Sequence, residues 1–518
     1  MNNITLRKTC RNCNGSDLQK VISLGSTPPA NAFLKKEELR GQEESFPLEL
    51  YFCIDCGLCQ LVDIVNPELL YRNYVYVSST SPSFVAHFQE LAKHVIDKLK
   101  LAKNSLIVDI GSNDGILLRP FKDQGMKVVG IDPATKIAEL ATKNGIPTIP
   151  SFFNLNVAKD IISQHGYAKL ATATSVFTHV DDLDSLIKGV KELLADDGVF
   201  VIESYYLGDL VEKNLFDTIY HEHLSYFCAR TFIDLFRRRG MQVFHIEKND
   251  THGGSLRVFA QKEPGKRSME PSVAQVMLEE SRLNLDRAST FLEYAKKIEV
   301  NKQKLLMILK DLKSRGKRIV GYGAAAKSNT LMNYFGITPE LLDYIVDDST
   351  WKQGLYTPGT RIPVVAADML VKQPPDYVLI LAWNYARNIM DKYAHLGKFI
   401  VPVPKPVVLH DVVDQDLYRI AYALGTKAKE LEGRTLLITG GSGVLGSYMV
   451  AAMEFLNKHV LDQPCKVISI DNFLIAKKKN LVKEIDDPNI NFKMHDVCVP
   501  LRLHEPVDYI ISAAGVAS

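Results

Sequence analysis

The stretch LIVDIGSNDG (106–115), followed after a helix-length interval by VVGIDP (128–133), decides the reading of this chain. An apolar run broken by glycine, a helix, and a second apolar run ending in an acid predict a strand, turn, helix and parallel strand. The acid, Asp132, lies where such units bind the ribose of an adenosine. The loop departs from G-x-G-x-x-G because Asn113 and Asp114 stand where a pyrophosphate meets helix N–H groups, and a carboxylate there disfavours phosphate. The expected ligand is a nucleoside without phosphates.

Outward from this unit, LATATSVFTHVDDL (170–183) and GVFVIESYY (198–206) predict two further strands, with His179 just beyond the first. This series resembles the class I methyltransferases that bind S-adenosylmethionine. The resemblance implies that Gly111, Asp114 and Gly115 hold the amino acid portion of the donor and Asp132 its ribose. A degenerate NAD or flavin domain is the competing interpretation.

The N-terminal region carries TCRNC (9–13) and FCIDC (52–56). Two C-x-x-C units predict one closed tetrahedral zinc site with Cys10, Cys13, Cys53 and Cys56 as ligands, leaving Cys59 outside it. Free or redox-active thiols are the alternative. The residues between the pairs, including GSTPPANAF (25–33), are expected to be loop-rich.

Beyond the strand at 198–206 comes YHEHLSYF (220–227), at the sheet edge where open α/β folds bind ligands. His179, Tyr220, Glu222 and His223 are expected to converge there. Methylating carbon needs a carbanion or enolate, and histidine is the base matched to neutral pH. Glu222 would orient an imidazole and a tyrosine hydroxyl would donate to a developing enolate oxygen. His221 is expected to face away from His223, with Tyr226 and Phe227 as packing residues. The competing interpretation, a catalytic metal on the box, lacks H-E-x-x-H spacing.

Residues 275–313 predict helices, and RIVGYGAAAKSNTLMNYF (318–335) opens a second α/β unit expected to have a parallel sheet. There Gly321 and Gly323 let backbone N–H groups approach an anion, and Lys327 adds positive charge.

The knuckles, the 106–132 unit, the YHEH box and GYGAAAKSN together resemble the bacterial C-methyltransferases of nucleotide-linked deoxy sugars, over about residues 4–410. That resemblance implies methylation at C3 beside a C4 ketone. His223 is then the base, His179, Tyr220 and Glu222 line the centre, and Tyr76 in NYVYVSS is a further group there. It also implies a sugar diphosphate, commonly of thymidine, held by Lys327, Asn329 and Gly323, with Trp383 and Asn384 as further candidates.

TLLITGGSGVLGSYMVAAMEFL (435–456) places Gly440, Gly443 and Gly446 between a strand and a helix; VISIDN and KMHDV follow with Asp471 and Asp496. This stretch resembles the start of an extended short-chain dehydrogenase/reductase, a family that includes nucleotide-sugar epimerases, dehydratases and decarboxylases. The Tyr-x-x-x-Lys pair of that family is not in the sequence, so weak NAD(P) binding without turnover is expected.

The expected architecture is therefore multidomain α/β: a zinc-binding domain (1–72), a class I methyltransferase Rossmann-like domain (73–265), a helical connector (266–305), a second Rossmann-like domain for the sugar nucleotide (306–410), a linker (411–432) and an incomplete NAD-type Rossmann segment (433–518). With 62 basic and 60 acidic side chains, nothing in the charge balance points to a nucleic-acid or membrane surface. The N-terminus has no apolar targeting core and no apolar run reaches about 20 residues, so a cytoplasmic protein is expected. An NAD-dependent nucleotide-sugar enzyme and a noncatalytic sugar-nucleotide binder remain as alternative functions.

Overall fold

The computed structural model describes residues 3–71, 79, 82–473, 481–503 and 505–514. Tyr76 lies outside the described residues. The chain divides into two units, one of residues 1–306 with 323–367, the other of 307–322 with 368–518.

In the first unit, β1 (Leu18–Thr27) and β2 (Phe46–Cys53) form an antiparallel pair that β3 (Cys59–Leu61) extends. GST of the expected loop belongs to β1, so the loop proper begins at Pro28. Two register shifts, between Lys20 and Ile22 and between Ser23 and Ser26, break the alternation that would have marked this strand in the sequence.

The central sheet uses β4 (Leu106–Ile110), β5 (Lys127–Ile131), β6 (Thr148–Ile149), β7 (Ala168–Thr174) and β8 (Leu194–Tyr205). After the two-residue β9 (Ser225–Tyr226) come β10 (Met241–Asn249) and β11 (Ser255–Lys262). The order is β10-β11-β8-β7-β4-β5-β6, parallel from β8 to β6 and closed by two antiparallel strands. All five β4 residues are buried, as a strand covered on both faces requires. On one face Ile107, Leu170, Val199 and Val201 pack with Phe88, Leu91 and Val95 of α1 (Pro82–Leu99). Strand β9 joins the other sheet, in the order β9-β3-β2-β1. The segment just after the YHEH box is thus stitched to the cysteine-bearing sheet. Helix α2 (Ala326–Phe335) and the parallel pair β12 (Ile345–Val346) and β13 (Val364–Val365) also belong to this unit.

The second unit contains β14 (Ile319–Tyr322), β15 (Tyr377–Ile380), β16 (Phe399–Val401) and β17 (Val407–Leu409). The first three pair in parallel, as expected of this unit, whereas β17 adds to β16 antiparallel. Only five residues separate β16 from β17, too short a connection for a parallel crossover. A second sheet follows, with β18 (Thr435–Thr439), β19 (Lys466–Asp471), β20 (Ile490–Met494) and β21 (Tyr509–Ser512) in the all-parallel order β20-β19-β18-β21. No helix among the described residues is long and apolar enough to cross a membrane.

Candidate functional site

The four cysteines of the two knuckles meet, all four sulfurs lying within 4.8 Å of one another. Cys10 Sγ is 3.5 Å from Cys56 Sγ and Cys13 Sγ is 3.6 Å from Cys53 Sγ. Tetrahedral zinc with Zn–S of about 2.3 Å needs sulfurs about 3.8 Å apart, so the donor set fits a closed zinc site. Cys59 sits buried in β3, outside this group.

At the end of β4, Gly111 (φ 72°) and Gly115 (φ 81°) take left-handed conformations. A Cβ on Gly111 would lie 2.2 Å from Val176 Cγ2, so any side chain there would force the loop off the sheet. Asp132 is buried at the end of β5 and accepts from the N–H groups of Asn113 and Ala134, each at 2.9 Å. Burial raises its pKa and those two bonds only partly offset the rise. Asp114 is buried with Oδ1 unpartnered, and Ser112 Oγ is likewise orphaned. Buried acceptors without donors cost free energy unless a ligand supplies them, and an α-ammonium group is such a donor. The loop therefore fits the amino acid portion of S-adenosylmethionine. One residue missed from the sequence is Asp109, which accepts 2.6 Å from Thr172 Oγ1 and is pushed up to about 7 by burial.

The YHEH box forms a turn between the 3-10 segment Phe216–Thr218 and β9. Its first three members diverge. His221 Nε2 lies 3.1 Å from the Phe46 carbonyl, turned toward the cysteine-bearing sheet. His223, only 2% exposed, points elsewhere, with Nδ1 2.7 Å from the Thr218 carbonyl. A carbonyl accepts only, so Nδ1 carries the proton and neutral His223 has its lone pair on Nε2. Its ring centroid is 3.9 Å from that of Tyr220, 4.9 Å from that of His179 and 4.9 Å from that of Tyr205. His179 ends the 3-10 turn Phe177–His179 after β7, and burial pushes it down to about 4, against the raising effect of the Ser175 and Glu222 carbonyls. Glu222 is 3% exposed and is pushed up to about 7 by burial; Asn31 Nδ2 donates to its Oε1 at 2.7 Å and opposes the rise. The structure thus brings His179, Tyr220 and His223 together and adds Tyr205, with Glu222 in the same turn. Tyr205 and Asn31 were not singled out from the sequence, although Tyr205 closes the quoted strand GVFVIESYY.

On α2, Asn329 is fully buried and its Nδ2 donates 2.7 Å to the Ala30 carbonyl, while Oδ1 has no partner. Burial lowers the Lys327 pKa, partly offset by the charge of Asp217. Gly323 has φ 93° and donates its N–H to the Val346 carbonyl. Trp383 and Asn384 belong to the second unit, where they line a groove of about 240 Å³ with Arg387, Asp391 and Tyr422.

In the last sheet, Gly440 (φ 70°) ends β18 and Gly443 is the N-cap of α3 (Val444–His459). A Cβ on Gly446 would lie 2.0 Å from the Gly440 carbonyl oxygen, which explains the third glycine. Asp471 Oδ2 accepts from the Ser442 N–H at 3.0 Å, so this acid closes onto the glycine loop. Asp496 instead accepts from the Cys498 N–H in its own turn.

A four-thiol site beside a sheet with a nonphosphate nucleoside loop defines a zinc-binding, S-adenosylmethionine-dependent methyltransferase. Residues 10–71 match a zinc binding domain family, 84–246 the family described as methyltransferase domain, and 250–404 the C-methyltransferase C-terminal domain. The chain is 36% identical over 404 residues to the C-methyltransferase NovU of Streptomyces niveus, covering 77% of this chain and 96% of that protein. It belongs to this C-methyltransferase family. It is also 34% identical over 95 residues to UDP-glucuronic acid decarboxylase 4 of Arabidopsis thaliana, covering 18% of this chain and 19% of that one. A solved structure of the plantazolicin methyltransferase BpumL with SAH aligns over 34% of this chain and 82% of its own, at 15% identity and TM-score 0.28.

Proposed function

We propose that the chain methylates a carbon next to the C4 ketone of a nucleotide-linked deoxy sugar, C3 in the first instance, with a thymidine diphosphate as carrier. The observation that carries this is the Nδ1–H of His223 bound to the Thr218 carbonyl, which puts the lone pair of the neutral ring on Nε2, the nitrogen that acts as base in this reading. S-adenosylmethionine, when bound by the loop at 111–115 and by Asp132, supplies an electrophilic methyl group. His223 Nε2 takes the proton from the carbon beside the ketone, and the electron pair left behind delocalises as an enolate. Tyr220 donates to the enolate oxygen, a stabilisation that strengthens as charge develops. His179, neutral because of burial, keeps a second positive charge away from the base. Lys327 and Asn329 hold the diphosphate.

In the same reading, residues 433–518 form an NAD-type segment of the epimerase and dehydratase kind, supported by the Gly440 to Gly446 loop and Asp471.

The test is incubation with thymidine-diphosphate 4-keto-6-deoxyglucose in deuterium oxide, with and without S-adenosylmethionine, read by NMR. A C4 ketone acidifies both flanking carbons, so C3 and C5 are both monitored. Deuterium and methyl at C3 are expected. Methylation at C5 would overturn the position, and methylation on oxygen would overturn the mechanism.

A further inference from the structure

We infer that Asn31, carried by the cysteine-bearing N-terminal domain, is a positioning residue for Glu222: its amide fixes that buried carboxyl in the YHEH turn and favours its ionised form. The inference rests on the reading of the YHEH turn as the reaction centre and adds a residue from a different domain to it.

The geometry is specific at both ends of the contact. Asn31 lies in the loop after β1, where Pro28 and Pro29 restrict the backbone before it. The Ala32 N–H donates to the Pro29 carbonyl and the Phe33 N–H to the Asn31 carbonyl. On one side of Asn31, the Ala30 carbonyl is held by the buried Asn329 amide at 2.7 Å. On the other, Leu34 and Tyr356 exchange two backbone hydrogen bonds of 2.9 Å. A loop anchored on both flanks has lost the freedom that would let an exposed asparagine wander. The receiving turn is equally fixed. His221 is held by the Phe46 carbonyl, the His223 N–H donates to the Tyr220 carbonyl, and the Leu224 N–H donates to the Thr178 carbonyl. Asn31 itself is exposed, yet its side chain reaches a carboxyl that is 3% exposed.

The chemistry follows from what a buried carboxyl becomes without that donor. Desolvation favours the neutral acid, and an N–H donated to a carboxylate oxygen favours the ionised form. A protonated Glu222 would present an O–H donor. An ionised one presents only acceptor positions, the form suited to a hydroxyl donor on the sugar. The other titratable groups around the turn include His179 from the turn after β7, Tyr205 from the end of β8, Tyr220, His221 and His223 in the turn itself, and Tyr226 of β9, whose hydroxyl donates to the Thr218 carbonyl at 3.4 Å; Asp217 and Lys327 act on each other. Burial and the Asn31 amide act in opposite directions on the Glu222 carboxyl.

The experiment has a readout independent of turnover. Infrared difference titration of the zinc-loaded protein, with Glu222→Gln to assign the carboxyl band, gives the midpoint of Glu222 in wild type, Asn31→Ala and Asn31→Asp. Loss of a hydrogen bond to the charged form should raise the midpoint by about one pH unit in Asn31→Ala. Asn31→Asp keeps the shape but sets a second carboxyl against the first, and should raise it further. With the 4-keto sugar nucleotide and S-adenosylmethionine, the acidic limb of the kcat profile should move up by the same amount, with KM for S-adenosylmethionine unchanged. An unchanged Glu222 midpoint in both variants overturns the inference. Loss of activity without movement of the profile also overturns it, because that is the signature of a merely structural loop. If wild type does not methylate this substrate, the proposed function fails while the infrared midpoints still decide the role of Asn31.

Discussion

Replacing His223 with Asn tests the reaction centre most directly, because the amide separates two functions of the imidazole. The Asn Nδ2 group takes the place of the ring Nδ1–H and keeps a donor for the Thr218 carbonyl, now 2.7 Å from Nδ1. What disappears is Nε2 and the ring face against Tyr220, His179 and Tyr205, whose centroids lie 3.9, 4.9 and 4.9 Å away. Lost ring contacts of this kind cost about 1 to 2 kcal/mol, small enough for the fold to persist. Loss of a general base costs about 100-fold or more, equivalent to about 2.7 kcal/mol or more of barrier. Deuterium exchange at the carbons flanking the ketone, measured without the methyl donor, isolates proton abstraction from methyl transfer. Calorimetry on the same sample should give S-adenosylmethionine affinity within about threefold of wild type, a change below about 0.7 kcal/mol, since the donor is held by the loop at 111–115 and Asp132 in this reading. Exchange in the variant at the wild-type rate would refute the assignment of His223 as base. Equal loss of donor binding would show that the substitution damaged the fold.

Purified protein should contain about one zinc per chain by elemental analysis, and Cys53→Ser should lose it, because three thiolates hold the ion far less well than four. Asp132→Ala should weaken S-adenosylmethionine binding about 10- to 150-fold by calorimetry, the loss of one charged hydrogen bond of about 1.5 to 3 kcal/mol. The pH dependence of stability has two opposed parts. His179 is pushed down to about 4, so the unfolded chain binds the extra proton between that value and the ordinary 6.5; stability is lost as pH falls through this window, and His179→Gln should flatten that slope in denaturant titrations. Glu222 is pushed up to about 7, so the unfolded chain ionises first and stability is lost as pH rises from 4.5 toward 7; Glu222→Gln should remove that loss.

The cysteine knuckles and the glycine loops could be read from the sequence because their geometry is local. A two-residue gap alone aims two thiols together, and glycine before an acid-ended strand marks a turn whatever surrounds it. Cys10 and Cys13 meet Cys53 and Cys56 as that spacing requires. The surroundings of Glu222 and His223 were legible only in part, since their partners are set by tertiary register. Asn31 lies 191 positions from Glu222, and nothing near it marks the pairing. The Thr218 carbonyl that fixes the His223 tautomer is a backbone atom, invisible to any reading of side-chain types. The expectation of loop across GSTPPANAF failed at its start because two irregularities in β1 shift its alternating pattern. The antiparallel β17 was hidden for a different reason: a short apolar run does not state its direction.

The three glycine loops carry a further argument about what an acid at a strand end means. Gly111, Gly323 and Gly440 all have positive φ, and each donates its N–H to the carbonyl of the residue before an aspartate, at 2.7, 2.7 and 2.8 Å. Asp132, Asp347 and Asp471 each turn one oxygen back to a loop N–H, of Asn113, Ala324 and Ser442. Each gives its other oxygen to the N–H two residues on, of Ala134, Ser349 and Phe473. The same pattern thus arises around a loop with a buried acid, Asp114, around one carrying Lys327, and around G-x-x-G-x-x-G. The aspartate satisfies backbone donors of its own loop before any ligand arrives, so its presence alone does not select a nucleoside. Selection must come from what the loop adds: a carboxylate that repels phosphate and attracts an ammonium, or a lysine that attracts phosphate. An Asp114→Asn exchange should therefore weaken S-adenosylmethionine through its amino acid end while leaving adenosine binding nearly unchanged, a contrast measurable by calorimetry with the two ligands. Equal loss for both would place Asp114 in the framework of the loop and not in recognition of the ammonium group.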